Sequence, residues 1–375
     1  MLKNKIKKNM NIRNVSIKDY EKIKILLKRH NMNMIDFKRW QNLWKKNPSL
    51  KKNKIKWTKG WVIEKNNKIV GHVGHFPMQY ILNKKTYLCS VIYGWAVDEQ
   101  FRSLSILLLK KYFSQKKIDL FLATNLNETS SKIMKMLKVK EVPVKSLNYS
   151  LVVALNLQKV IKIFFRDMHL PFKNLILSIF SPFLLIFLKK KLNSLKNKFS
   201  TENIVKQNEI DDKFDFVWKK IIGFKKNKLL FRRDKKWLKW HLNYFVKNRK
   251  AWIYFSVKDK KINGYSICIE KNNAKTGIKS ALLIDLNAFK DEEKTSKNLI
   301  GANIMEAKRR NYDIFEFRGF DDEKVSYMNS FDPFKKKLLN NPFCYKTNNK
   351  KLNILLAQSK YWCPSYLDGD AIVDL

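Results

Sequence analysis

VDEQFRSLSILLLKKYF, from Val97 to Phe113, is the stretch on which the reading of this chain turns. It continues the apolar run VIYGWAV (91–97) through a short polar turn into a helical pattern. A strand, a turn and a helix start in that order present backbone N–H groups where phosphate is commonly held. The glycines usual in such a turn are absent, and Ser103 and Ser105 stand in their places. The corner is either a phosphate cradle or an ordinary strand–helix connection.

Working outward, residues 59–97 alternate in a way that predicts three antiparallel strands, with turns at KNNK and LNKK. Upstream, residues 12–31 predict a short strand, a cap at Ser16 and an amphipathic helix. Downstream come a helix over 103–117 and a central strand at 118–126. A second helix then begins near Thr129 or Ser130, and a strand follows over 141–155. The order β-α-β-β-β-α-β-α-β over 11–152 predicts an α/β domain with a mixed sheet.

From about 204 onward a similar pattern returns. Helices are predicted at 211–224 and 234–245, the second with a core-type stripe of Trp237, Trp240 and Tyr244. A hairpin at 251–271, a strand at 279–289, a helix at 295–311 and a strand at 312–320 follow. Residues 326–339 read as a short helical segment, and 344–348 and 351–358 as strands. Two halves with the same order of elements point to a tandem duplication. The expected organisation is a first domain over 11–152, a helical connector over 153–203 and a second domain over 204–375.

The connector holds an apolar patch, Leu175 to Leu188, interrupted by Pro182 and closed by Lys189–Lys191. A spanning helix needs about 20 apolar residues. The patch admits three readings: a buried helix pair, a peripheral contact of 171–190 with an anionic membrane, and a span.

The chain has 375 residues, 45% of them hydrophobic, and a formal charge of +46. That excess points toward anionic partners. It is almost all Lys spread among Asn, with only eleven Arg, which also fits a compositional bias across the chain. Arg is the residue for bidentate base and phosphate contacts, so its scarcity counts against dedicated nucleic-acid binding. Cys89, Cys268, Cys344 and Cys363 form no CxxC pair, so neither a metal knuckle nor a disulfide framework is expected. The N-terminus lacks the apolar core of a secretory signal, and the cytoplasm is the expected compartment.

Val97, followed by Gln100, Phe101, Arg102, Ser103, Leu104 and Ser105, resembles the signature of the GNAT superfamily of acyl-CoA-dependent acyltransferases. There a strand ending near a valine leads into Gln/Arg-x-x-Gly-x-Gly/Ala. Asn127 falls where that family has an Asn after its fifth strand; Met134 replaces a Tyr, and Lys138–Val139 replace Gly-Phe. The resemblance covers 11–152, and the tandem is similar to two-domain members of the superfamily. It implies two acyl-CoA N-acyltransferase-like domains with mixed, mainly antiparallel sheets and flanking helices.

It also implies a coenzyme, acetyl-CoA or another acyl-CoA. The pyrophosphate would sit on the N–H groups from Arg102 through Ser103, Leu104, Ser105 and Ile106 to Leu107. Arg102 would be its charge partner and Asn127 would lie nearby. A backbone N–H of Ala96 or Val97 would polarise the thioester carbonyl. Glu99, His72 and His75 are the candidate bases for a primary amine acceptor, such as an amino sugar or a cell-envelope precursor. Odd spacing places His72 and His75 on opposite strand faces.

In the second half the corner LNAFKDEEKTSKNL is acidic, so no coenzyme site is expected there. Asp285, Glu316, Arg318, Asp368 and Asp370 are candidate substrate contacts instead. Two other functions stay open. One is aminoacyl transfer from a charged tRNA, as in envelope transferases with duplicated folds. The other is a non-catalytic binding module.

Overall fold

The computed structural model describes residues 10–53, 57–166, 182, 186, 190, 193–273, 276–338 and 342–373. Strand β1 (Met10–Asn14) leads through Ser16, which caps a 3-10 turn, into helix α1 (Tyr20–Arg29). Two helices that the sequence pattern did not predict follow: α2 (Phe37–Lys45) and α3 (Pro48–Asn53). Asp36 starts α2 by accepting from the Arg39 N–H, and α2 buries Trp40, Leu43 and Trp44.

The meander β2 (Gly60–Lys65), β3 (Lys68–Leu82) and β4 (Lys85–Val97) turns at Asn66–Asn67 and Asn83–Lys84. All four turn residues have positive φ, from 49° to 63°. Two-residue hairpins need that conformation to match the strand twist, and Asn tolerates it best among non-glycine residues. A 3-10 turn and α4 (Ser105–Phe113) come next, then β5 (Leu120–Ala123), α5 (Glu128–Met136) and β6 (Lys140–Glu141). They are followed by β7 (Tyr149–Ala154) and α6 (Leu157–Arg166).

The later elements are β8 (Ile204–Gln207), α7 (Lys213–Phe224), β9 (Leu230–Phe231) and α8 (Lys235–Lys247). Then come β10 (Ala251–Lys258), β11 (Lys261–Asn273), β12 (Ile278–Ala288), α9 (Glu292–Arg309) and β13 (Ile314–Arg318). The last are α10 (Asp322–Asn329), β14 (Phe334–Lys337), β15 (Cys344–Lys346) and α11 (Lys350–Leu356).

These strands form two mixed, mainly antiparallel sheets flanked by helices. The first runs β1-β2-β3-β4-β5-β15-β6, with β9 paired to β3. The second, read from its other edge, runs β8-β10-β11-β12-β13-β7-β14. Position by position the two orders match, and each has one parallel pair at its centre, β4–β5 and β12–β13. This is the tandem arrangement.

One feature of the pairing was not legible in the chain order. β7, from the first half, lies in the second sheet between β13 and β14. β15, from the second half, lies in the first sheet between β5 and β6. The first half therefore donates β7 to the second sheet, and the second half donates β15 and the short β9 to the first. A boundary between 152 and 153 falls inside β7, whose apolar run reads the same whichever sheet receives it.

Two further expectations are corrected. Residues 326–339 are not one helical segment: α10 ends at Asn329, and Phe334–Lys337 form the exposed edge strand β14. FKKK has no alternation, and pairing with β7 makes it a strand; its lysines suit an exposed edge. Residues 351–358 are not a strand. Asn349 accepts from the Leu352 N–H and starts α11, whose Leu352 and Leu356 are buried at i and i+4.

The apolar patch Leu175–Leu188 lies outside the described residues, apart from Pro182 and Ile186. Among the described residues no helix is long and apolar enough to cross a membrane.

Candidate active site at the junction of the sheets

Parallel pairing of β4 with β5 is confined to Cys89–Val91 and Leu120–Leu122. Beyond Ile92 the two strands part. There β4 carries a bulge, with Gly94 and Trp95 opposing the single residue Val73. Gly94 has φ +59, a conformation that favours glycine. β12 repeats the feature: its pairing with β13 is confined to Ser280–Leu283, and Ile284 is the extra residue against β11.

His72 holds the first bulge. Its Nδ1–H donates to the Gly94 carbonyl at 2.5 Å, which fixes the tautomer, because a carbonyl can only accept. His75 lies on the other face, stacked on Trp61 at 5.3 Å and against Tyr112 of α4. Its ring nitrogens meet the hydroxyls of Ser90 and Thr58 at 3.0 and 3.1 Å. Both rings are fully buried, and burial lowers their pKa values, to about 4 for His72 and about 3 for His75. They are neutral near pH 7, and His72 Nδ1 and both ring nitrogens of His75 are committed to the scaffold.

At the quoted corner, Asp98 donates its N–H to the Val70 carbonyl at 2.8 Å. Its carboxylate meets Arg29 at 2.7 Å and His30 at 3.2 Å. Burial opposes its ionisation, but the hydrogen bonds from Arg29 and His30 outweigh burial and hold the carboxyl below its usual value. The helix starts at Glu99. Phe101 N–H bonds to Asp98 O, and Ser105 N–H to Arg102 O, so Arg102, Ser103, Leu104, Ser105, Ile106 and Leu107 are already inside it. The donors without an intrahelical partner are the N–H groups of Glu99 and Gln100.

No residue from 98 to 107 has positive φ, so serine occupies the turn without strain. Arg102 pairs with Glu99 at 3.2 Å, with side chains 60% and 83% exposed. Ala96 and Val97 are buried opposite His72 and Gly71. Asn127 caps α5 by accepting from the Ser130 N–H at 2.8 Å. Met134 is buried. Lys138, in the place of the expected glycine, takes φ +58 just past α5.

The C-terminal tail, 362–373, passes between the two openings. At the second sheet the Leu367 N–H donates to the bulge carbonyl of Ile284 at 3.1 Å. At the first sheet the Asp370 N–H donates to Thr124 Oγ1 at 3.1 Å, and the Thr124 hydroxyl donates back to the Asp370 carboxylate. Thr124 directly follows β5. Gly369 makes this approach possible: it has φ +94, and a Cβ there would lie 2.3 Å from the Thr124 side chain. Gly369→Ala is therefore expected to push the tail off β5 and to cost about 1–3 kcal/mol in chemical denaturation.

Buried charges anchor the tail. Arg233 makes a two-fold contact with Asp285 (2.9 and 3.0 Å) and reaches Ser365 and Asp368 at 2.9 and 3.2 Å. Tyr265 and Asn287 complete the Asp285 carboxylate at 2.6 and 3.0 Å. Burial raises the Asp368 pKa; Arg233 opposes the shift and Asp285 adds to it. Burial also pushes the Asp370 carboxyl up to about 6, against the hydrogen bond from Thr124.

A small cavity of about 70 Å³ opens here, lined by Thr124, Asn125, Arg318, Gly319, Tyr366 and Asp368. Arg318 donates to the Tyr366 hydroxyl at 2.7 Å. Glu316 stands behind it, held by Lys271 at 3.1 Å and Ser150 at 3.2 Å. Arg318, Asp368 and Asp370 thus meet near the end of β5, Asp285 anchors the tail from beneath, and Glu99 lies apart on the corner. Sequence reasoning missed Arg233 and Thr124. Neither has a local signal, because the carboxylates that each one meets lie more than 50 positions away.

In the second sheet, the helix start at Asp291 carries Glu292 and Glu293, and Glu292 pairs with the buried Lys225. Its strand opening already holds the Leu367 backbone. Among the described residues no group of His, Cys, Asp and Glu could hold a metal ion.

No family model and no curated protein matches this sequence. Solved structures do. N-myristoyltransferase from Saccharomyces cerevisiae, with bound myristoyl-CoA, is 14% identical, with a TM-score of 0.51 over 90% of this chain and 82% of its own. A protein of unknown function from Enterococcus faecalis, described as a "probable N-acyltransferase", is 10% identical, with a TM-score of 0.56 over 90% and 72%. A GCN5-related N-acetyltransferase from Anabaena variabilis is 9% identical, with a TM-score of 0.51 over 91% and 73%. At these identities the likeness is one of fold.

Proposed function

We propose that this chain is an acyl-CoA-dependent N-acyltransferase, with its coenzyme at the first sheet and the tail carboxylate Asp370 as proton acceptor. The reading is carried by one conjunction. A bulged, parted strand pair adjoins an open helix start, and a buried carboxyl with pKa about 6 stands at the end of the partner strand.

The first-turn N–H groups of Glu99 and Gln100, with Arg102, suit a pyrophosphate: they combine open donors with a guanidinium free to leave an exposed ion pair. The Glu99 carboxylate, 83% exposed, turns to solvent and is not the base. When bound, acyl-CoA supplies an activated thioester. The β4 backbone near Ala96 and Val97 orients its carbonyl. Asp370 takes the proton lost by the acceptor nitrogen as the C–N bond forms and the C–S bond breaks. Burial suits Asp370 to this task, because a base works best with a pKa near the operating pH.

Calorimetry with acetyl-CoA and with a long-chain acyl-CoA tests the coenzyme half of the proposal. Binding to the intact chain is expected, weakened about tenfold in Arg102→Gln through loss of a charge-assisted contact. Failure of either acyl-CoA to bind at millimolar concentration would end the proposal. Binding that Arg102→Gln leaves unchanged would move the pyrophosphate elsewhere.

A further inference from the structure

Past Asp370 the tail continues into a second opening. Ala371 lines the small junction cavity, whereas Ile372 and Val373 line a cleft of about 430 Å³ between α2 and α8. Three residues of extended chain reach at most about 11 Å, so the cleft begins within that distance of the Asp370 backbone. It is separate from the coenzyme corner. Val97 pairs with Gly71 on β3, whereas the cleft residue Trp240 packs on Phe76, five residues or about 16 Å further along the strand.

Among the described residues, Lys38, Arg39, Lys46, Lys239 and Lys247 line this cleft against a single acid, Asp36. That acid is engaged as the cap of α2. Among the described residues none of the four lysines forms a salt bridge, whereas Lys159, Lys206, Lys225 and Lys324 elsewhere are each paired with a carboxylate. Arg39 is held rigidly: its guanidinium lies 4.2 Å from the Tyr244 ring centre and 5.4 Å from that of Phe245. It also donates to the Val373 carbonyl at 3.4 Å. Stacking of this kind orients a guanidinium for an oxyanion. At the back of the cleft, His241 Nε2 is buried without a partner. Burial lowers its pKa to about 3, so the ring stays neutral.

We infer that this cleft is the acceptor site of the transfer proposed above, on which the inference rests, and that the acceptor is a small amine carrying a phosphate group. The phosphate sits among the lysines and Arg39. The amine points along the tail toward Asp370, whose carboxylate accepts its proton. Four point charges and one oriented fork match a dianion better than a monoanion. The wall formed by Ile372 and Val373 sets the distance between phosphate and nitrogen.

The test uses the full chain and three measurements. Inorganic phosphate, titrated by calorimetry, is expected to bind in the millimolar range without displacing acyl-CoA. The triple variant Lys38→Gln, Lys46→Gln, Lys239→Gln is expected to weaken phosphate at least tenfold and to leave acyl-CoA binding unchanged. A control triple on the β10–β11 turn, Lys258→Gln, Lys260→Gln, Lys261→Gln, is expected to leave both unchanged. With acyl-CoA present, glucosamine 6-phosphate is expected to be acylated with kcat/KM at least tenfold above glucosamine.

Phosphate that competes with acyl-CoA, or that both triples weaken equally, would overturn the cleft as a site. Equal turnover of the two sugars, or a preference for a carboxylate amine such as glutamate, would overturn the phosphate assignment. Loss of acyl-CoA binding by the intact chain is the separate outcome that removes the coenzyme reading beneath it.

Discussion

Asp370→Asn is expected to slow acyl transfer by about 10²- to 10⁴-fold while acyl-CoA binds as tightly as before. Asn keeps the shape of the side chain and its acceptor oxygen for the Thr124 hydroxyl, but it cannot take a proton. In the unaltered protein kcat/KM should rise with pH through about 6, the value to which burial pushes this carboxyl.

The same shift has a stability consequence of opposite sense. A carboxyl with a folded pKa of about 6, against an ordinary value of 3.8, binds its proton more tightly in the folded state. Its stabilising share is complete below about pH 3.8 and is lost as pH rises through 6. At pH 8 the ionised group therefore burdens the fold by about 3 kcal/mol, taking about 1.4 kcal/mol for each unit of pKa. Asp370→Asn removes that burden. It should unfold at higher denaturant concentration than the unaltered protein at pH 8, with the difference closing at pH 4. A variant that is slower yet more stable has lost a proton acceptor, not its structure. A slower and less stable one would refute the assignment.

Arg233→Met is expected to destabilise the protein by about 3–5 kcal/mol, the scale for breaking a buried ion pair on one side. Arg233 is 2% exposed and Asp285 fully buried, so no water replaces the lost donors. Both Asp285 and Asp368 would be left uncompensated, and Asp368 would pull away with the tail. Urea unfolding followed by tryptophan fluorescence measures the loss. Limited proteolysis should cut after Lys360 before the sheets open. Adding Asp285→Leu to Arg233→Met should recover part of the stability, because removing both charges costs less than orphaning one. No recovery would mean that Arg233 acts mainly by packing on Phe231, whose ring centre lies 5.6 Å away.

Much of the architecture was legible because its signals are local. Alternation over residues 59–97 and the Asn-rich turns specify the meander, since a two-residue hairpin requires positive φ there. Ser16 acts as the helix cap that the pattern predicts. The spacing of His72 and His75 placed them on opposite faces. The helix at 350–356 was misread although its cap, Asn349, and its i, i+4 leucines are visible. α2 and α3 went unpredicted because each is too short, at nine and six residues, to show a long periodic face.

The candidate site was legible only as a scatter of residue types. Asp368 and Asp370 stood out as an acidic ending, Arg318 as one of few arginines, and Val97–Ser105 as a strand–helix corner. Nothing in their neighbourhoods said that they would meet. Thr124 and Asp370 are 246 positions apart, and Arg233 and Asp368 are 135.

The sequence by itself determined most of the elements, the repeat of their order and the strand–helix corner after Val97, because hydrophobic period, caps and turn residues act within a few positions. Only the tertiary structure decided the exchange of β7 and β15 between the sheets, since an apolar strand pairs equally well by pattern with either. It also decided that the tail enters the opening of the second sheet, where the Leu367 N–H meets the Ile284 carbonyl. Burial raises the pKa of Asp370, and burial is a property of the assembled fold, not of the residues beside it in the chain.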